Sequence, residues 1–186
     1  MLLDYHDRIT LDGKEYKIIN SHRNYITALK VLRSKDIFDE DKIEALMPLL
    51  LKDTVPEGME QGAVMAFFDL FTDKRKKSNG KPSFDIVQDA DYIYSAFMQT
   101  YGIDLDSSEL SIERFIALLK GLPSNTRLAE IAKIRTMPVP QRTKYNAQQI
   151  SDILRAKQEF ALEDENLDKG LGGFGRMIKE WARHGR

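Results

Sequence analysis

The chain has 186 residues, of which 42% are hydrophobic and 31% charged, and this is enough for one globular domain without disulfides or metals. Its 28 basic and 29 acidic side chains give a formal net charge of -1, so it lacks the basic excess typical of proteins that wrap duplex nucleic acid. Because there is no cysteine, a disulfide framework, thiolate zinc sites and cysteine nucleophiles are excluded.

The first residues show no basic segment followed by an apolar run, so we expect no secretory signal. The longest apolar stretches, such as 46–51 and 64–68, are too short to span a bilayer. These features favour a protein of the cytoplasm without membrane association.

The first twenty residues predict a small β-hairpin arm. Short alternating segments at 9–11 and 16–18 flank Asp12-Gly13, a dipeptide favoured in tight hairpin turns. A lone hairpin is marginal in water, so we expect the arm to lie against the helices that follow.

Three helices are predicted next from the spacing of apolar residues. Asn20 or Ser21 is expected to cap the first of them. Asp39 opens the second, in which Pro48 is expected to kink the helix or end it early. Pro56 suits the first turn of the third.

The fourth helix is the clearest, because apolar residues recur at intervals of three and four until Gly102 stops it. Asp85, Asp89 and Asp91 lie near its start, and we interpret them as compensating the helix dipole. The spacing is not that of a calcium-binding loop.

Three more helices follow. Asp106, Ser107 or Ser108 is expected to cap the fifth and Ser124 the sixth, and a seventh is predicted from about residue 146 to 162. The fold class is therefore all-α, with about seven helices in a bundle and a small N-terminal β-hairpin.

A basic segment without apolar residues divides the chain and is predicted to be an exposed linker. The predicted organisation is a hairpin arm (1–20), an N-terminal helical half (21–73), the basic linker (74–82), a C-terminal helical half (83–162) and a charged, glycine-rich tail (163–186).

The residue patterns indicate no catalytic, cofactor or metal site. His6, His22 and His184 have no carboxylate or second histidine three or four residues further along the chain, and we expect all three to be exposed. The glycines of 170–175 lack the flanking strand and the Lys-Ser/Thr pair of a phosphate-binding loop, which favours a flexible linker. A non-enzymatic protein without cofactors is expected.

Two features favour binding. The third and fourth helices have more apolar positions than one buried face needs, and Phe68, Phe71, Tyr94 and Met98 are the candidate partner-binding residues. The alternative, that these residues are plain core, is the more frequent case for such a stripe.

The basic run Lys74, Arg75, Lys76 and Lys77 is a second candidate, for contact with an acidic partner or nucleic acid. No aromatic residues interleave it, as they would in a single-strand binder, so a solvated loop is the simpler interpretation and nucleic acid an unlikely partner.

Residues 97–105, 115–123 and 134–138 resemble the bacteriophage gene-product-fifteen family. The shared features are a helix closed by Tyr-Gly-Ile-Asp-Leu, a Phe-x-x-Leu-Leu-x-Gly-Leu-Pro helix and an Ile-Arg-x-Met-Pro ending, with weaker similarity back to residue 9.

The resemblance implies a tail assembly chaperone of long-tailed, non-contractile phages of Gram-positive hosts, encoded between the major tail protein and the tape measure protein. Its expected partner is the tape measure protein, with the major tail protein and further copies of itself as additional candidates. It would act in the host cytoplasm and be absent from the mature virion. The alternatives are a nucleic-acid-associated phage regulator that uses the basic linker and a minor structural protein of the virion.

Overall fold

The computed structural model describes residues 3–71 and 83–163, so the basic linker and nearly all of the predicted tail lie outside the described residues. The described elements, in chain order, are β1 (Arg8–Leu11), β2 (Lys14–Lys17), α1 (His22–Arg33), α2 (Asp39–Leu50), α3 (Glu60–Phe71), α4 (Ala90–Tyr101), α5 (Ile112–Lys120), α6 (Arg127–Thr136) and α7 (Ala147–Glu159). They confirm the predicted all-α fold with its N-terminal hairpin. None of these helices has the length and apolar character needed to cross a membrane.

The hairpin is part of the core and does not project from it. β1 and β2 are antiparallel, with Ile9 opposite Tyr16, and both side chains are buried. Asp12 and Gly13 have positive φ angles of 46° and 79°, as the tight turn requires. β1 contacts α3, so the arm covers one face of that helix.

One hydrophobic core joins the two helical halves. It contains fully buried phenylalanines from both, including Phe67 and Phe68 of α3, Phe97 of α4 and Phe115 of α5. Between the halves, the ring of His22 in α1 lies against that of Phe115 in α5, with centroids 5.6 Å apart. The halves predicted on either side of the linker therefore share their apolar interior.

The turn that precedes α4 carries two ion pairs. Arg33 of α1 lies 2.6 Å from the Asp85 carboxylate, and Arg135 of α6 donates two hydrogen bonds, of 2.5 and 2.8 Å, to Asp89. Asp85 and Asp89 are 5% and 1% exposed. Asp85 also accepts from the Val87 and Gln88 amides, and Asp89 is the N-cap residue of α4, so both lie at the start of the helix as predicted. The sequence did not predict their ion pairs, whose partners lie more than forty residues away.

Arg135 also fixes the chain beyond α6. Its Nε donates to the Phe160 carbonyl at 2.6 Å, and Lys157 Nζ donates to the Arg135 carbonyl at the same distance. α7 has no buried residue and contacts α6 only sparsely, so these polar bonds are a main part of its attachment.

Several predicted boundaries were wrong. α2 continues through Pro48 to Leu50, because the burial of Leu46 and Leu50 outweighs the loss of one backbone hydrogen bond. α3 begins only at Glu60, so Pro56 lies in the preceding turn, where its carbonyl accepts from the amide of residue 59.

The predicted caps of α5 and α6 were also wrong. Ser111 caps α5 by accepting from the Arg114 amide, and Thr126 caps α6 by accepting from the Ala129 amide. The stop at Gly102 is confirmed, since this glycine has a left-handed φ of 64°.

Asn20 has a different role from the one predicted. Ser21 is the N-cap residue of α1 but makes no side-chain cap hydrogen bond. The Asn20 amide instead donates to both Glu113 oxygens, at 3.0 and 2.9 Å, and its oxygen accepts from the Ile112 amide at 2.8 Å. Because Glu113 also accepts from the His6 amide at 2.8 Å, this cluster ties the hairpin arm to α5.

These bonds control the ionisation of Glu113. Burial alone would raise its pKa, but hydrogen bonds from the His6 backbone and the Asn20 side chain outweigh burial and lower the pKa below the ordinary 4.5. The ionised form is therefore the one that the folded protein stabilises.

Arg135→Ala is expected to lower the free energy of unfolding by about 3–5 kcal/mol, because it leaves Asp89 charged, buried and without its guanidinium. Arg155→Ala is the matched control, since it removes an exposed pair with Asp152 and should cost less than about 1 kcal/mol. Urea unfolding followed by circular dichroism measures both. Equal losses would contradict the assigned importance of the buried pair.

Glu113→Gln is expected to change how stability depends on pH. A lowered folded-state pKa contributes stability above the ordinary value of 4.5, and this stability is lost as the pH falls through the lowered pKa. The variant should be less stable than wild type at pH 7 and lose less stability on acidification below pH 4.5. Unfolding curves across this range provide the measurement, with Glu109→Gln, at an exposed position, as the control. Parallel profiles for wild type and Glu113→Gln would refute the prediction.

Candidate partner-binding surface

The two histidines in the described residues both make contacts that stabilise the fold. The prediction that all are exposed was wrong for His22, which is fully buried, with its ring nitrogens 3.2 and 3.0 Å from the carbonyls of Leu110 and Leu105. His6 is half-buried beside Glu113, and His184 lies outside the described residues. Over residues 3–71 and 83–163, no group of three His, Asp or Glu side chains could hold a metal ion.

Two of the predicted partner-binding residues lie in the core. Phe68 is 1% exposed and Phe71 is 8% exposed. Both rings contact Tyr25 of α1, at centroid distances of 5.7 and 5.9 Å, and Phe71 also contacts His6 beside the hairpin. The prediction of an exposed face at these two residues was wrong, because α1 and the hairpin arm cover that side of α3.

Tyr94 and Met98, which we call the α4 patch, reach the surface. Tyr94 is half-buried along a groove between α1 and α4, and Met98 is 43% exposed. Partial burial and the nearby Asp104 carboxylate raise the pKa of Tyr94. Hydrogen bonds from Ser107 and from the Asp106 backbone lower the pKa of Asp104. A role of the α4 patch in partner binding stays a prediction.

The other predicted contact, the basic run of Lys74, Arg75, Lys76 and Lys77, lies outside the described residues.

A larger surface groove lies along α2 and the segment that follows it. It has a volume of about 530 Å³. We call it the α2 groove. Its floor is apolar and consists of Ile43, Met47, Pro48, Leu51 and Val55. Its polar rim carries Glu44, Asp53 and Glu60, with Lys52 as the one basic lining residue.

The helix wall of the groove arises because the apolar stripe of α2 is wider than the core can cover. Leu46 and Leu50 are fully buried, whereas Ile43 and Met47, one step around the helix, are half-buried at the edge of the core. An amphipathic helix with so broad a stripe leaves part of it for another surface.

The second wall is held by the backbone of the hairpin arm. The Lys52 amide donates to the Lys17 carbonyl at 2.9 Å, and the Lys17 amide donates to the Asp53 carboxylate at 2.7 Å. Ile18 pairs with Leu51 in an isolated β-bridge. These contacts fix the segment after α2, so the groove is preformed.

Sequence reasoning missed this site and placed the surplus apolar surface on the third and fourth helices. The sequence did contain a signal for it. The run from Leu46 to Leu51 is apolar at every position, so it includes more apolar residues than one buried face of a helix can hold. Pro48 obscured it, since a helix expected to end early offers no long face.

An apolar floor with a mostly acidic rim suits large apolar side chains presented by an amphipathic or basic polypeptide segment. The same rim disfavours phosphate groups, since like charges repel. The groove is therefore a candidate site for a polypeptide and not for nucleic acid.

A family model described as "Bacteriophage Gp15 protein" matches residues 5–162, which include the hairpin arm, the α2 groove and the α4 patch. No curated protein and no solved structure matches the chain.

Alanine substitutions at two neighbouring residues of α2 should distinguish a core position from a groove position by their effect on stability. Leu46→Ala is expected to lower the free energy of unfolding by about 2–5 kcal/mol, because it opens a cavity at a fully buried position. Met47→Ala should cost clearly less, since this side chain is half-buried at the surface. Urea unfolding measures both, and a Met47→Ala loss as large as that of Leu46→Ala would show that the groove wall is core.

Proposed function

We propose that this chain, which belongs to the bacteriophage Gp15 protein family, is a non-enzymatic tail assembly chaperone that binds and shields the tape measure protein. The phage family, together with the sequence resemblance to tail assembly chaperones of long-tailed phages of Gram-positive hosts, supports the biological setting. The observation that carries the molecular proposal is the open apolar α2 groove.

The chemistry of the client fits such a groove. A tape measure protein is a very long, helical, apolar-rich chain, and it would aggregate if it were made without a covering protein. Burying apolar surface contributes about 25 cal/mol per Å², so a shallow groove is enough when many copies bind along one chain.

The rim of the groove selects among client segments. Carboxylates at Glu44, Asp53 and Glu60 favour a segment whose apolar residues are accompanied by lysine or arginine. Rim charges act mainly on the rate and specificity of association, whereas the floor supplies most of the affinity.

Reversible coverage of this kind needs no nucleotide. As tube subunits polymerise around the tape measure, the major tail protein would compete for the same apolar segments and release the chaperone. The chaperone would therefore work in the host cytoplasm and leave the assembly before the virion is complete.

Co-expression with the tape measure protein tests the proposal. The wild-type chain should keep the tape measure soluble and co-elute with it. Met47→Glu should weaken this association about tenfold or more, because a charge in the apolar floor must be desolvated when the client binds, and a loss of about 1.4 kcal/mol already corresponds to tenfold. Co-elution after affinity capture and the soluble fraction of the tape measure are the two measurements.

Met98→Glu is the matched control, since it places the same charge on the α4 patch. Loss of binding only in this variant would move the client site from the α2 groove to the α4 patch. A tape measure that is equally soluble without the chain would refute the chaperone function, and abundant chain in purified particles would favour a structural protein.

A further inference from the structure

We propose that residues 174–186 of this chain dock into its own α2 groove and compete there with an external client. The proposal concerns the regulation of the proposed binding site and rests on that function for its biological role. The docking itself is measured without any client.

The pattern of the segment fits a helix with one apolar face. These residues lie outside the described ranges. The apolar side chains recur at intervals of three and four, at Phe174, Met177, Ile178 and Trp181. Four basic residues, against one acidic, occupy positions between and after them, at Arg176, Lys179, Arg183 and Arg186.

Charge favours the α2 groove over the groove between α1 and α4. The α2 groove has three carboxylates and one lysine among its lining residues. The groove between α1 and α4 is lined by Arg23 and Lys30 with Asp106 as the acidic residue, and His22 there is buried against the backbone. A basic segment is attracted to the first rim and meets an excess of like charge at the second.

The last described residues lie near the end of α1, next to which α2 begins. The Glu163 amide donates to the Gln88 side chain at 3.0 Å, and Gln88 follows Asp85, which pairs with Arg33 at the end of α1. α1 and α2 pack against each other, with the Asn24 side chain bound to the Leu49 carbonyl. The two helices are therefore antiparallel, and the start of α2 lies beside the end of α1.

The intervening residues are long enough for this connection. Residues 164–173 span up to about 33 Å when extended, at roughly 3.3 Å per residue. Neighbouring helix axes are about 8–10 Å apart. The extended length of these residues is several times the spacing of two neighbouring helices, which brings the start of α2 within reach of the described end of the chain.

Tethering makes even a weak contact effective. A segment on a short linker experiences an effective concentration in the millimolar range, so a dissociation constant of about 0.1 mM is enough to keep the groove largely occupied. A client that offers many segments in one chain displaces it, whereas stray apolar peptides at low concentration do not. The device would keep the groove covered until a tape measure chain is present.

Trp181 is the sole tryptophan of the chain, so its fluorescence reports on the segment directly. In the full wild-type chain, docking should shift its emission to shorter wavelength and protect it from acrylamide, relative to N-acetyltryptophanamide. Met47→Glu should abolish both effects. Ile26→Glu, which places the same charge in the groove between α1 and α4, should leave both unchanged.

Glu44→Lys provides a variant whose folding is not in question, because Glu44 is exposed. Reversal of one rim charge should shift the docking equilibrium roughly twofold to fivefold towards the free segment, as expected for an exposed ion pair. Added salt should act in the same direction on the wild type. Circular dichroism confirms that each variant is folded before its fluorescence is compared.

Three outcomes would overturn the proposal. They are wild-type emission equal to that of free tryptophanamide, release by Ile26→Glu but not by Met47→Glu, and protection that rises with protein concentration, which would mean docking onto a second copy. None of them involves the tape measure protein, so the proposed function fails or survives separately through co-expression.

Discussion

The two ion pairs around the turn before α4 hold the described structure in its arrangement. Asp85 and Asp89 receive arginines from α1 and α6, and Arg135 in turn holds the backbone at Phe160. Charges in so buried a place are tolerated only when they are paired and hydrogen-bonded. The turn therefore ties the start of α4 to α1 of the N-terminal half and to α6 of the C-terminal half, and it sets the position from which the chain continues after α7.

The helices and the hairpin were predictable because their signals are local. Apolar spacing and Asp12-Gly13 depend on neighbours within one or two turns of chain. The arginine partners of Asp85 and Asp89 were not predictable, since they come from positions 52 and 46 residues away. The same holds for Ser111, which caps α5 although three other polar residues precede it with equal local preference.

The binding surface was harder to predict than the fold. A count of apolar positions shows that a helix has surplus surface, but it does not show which neighbour covers that surface. The hairpin arm and α1 cover Phe68 and Phe71, whereas no described element covers the outer edge of α2 at Met47. Membership of a phage protein family indicates the biological setting of the chain. The α2 groove indicates which kind of polypeptide segment suits its surface, and family membership alone does not give this.

Pro48 removes one backbone hydrogen bond from the helix that forms a wall of the α2 groove. Proline has no amide hydrogen, so the Glu44 carbonyl, one turn earlier, lacks its helical donor, and both residues line the groove. A carbonyl oxygen without a donor loses about 1–3 kcal/mol when a purely hydrocarbon surface shields it from water. Water, or an N–H group from a bound segment, can supply the donor that proline lacks. An apolar wall that contains a proline therefore also contains a polar backbone group that no side chain of its own helix turn has to satisfy.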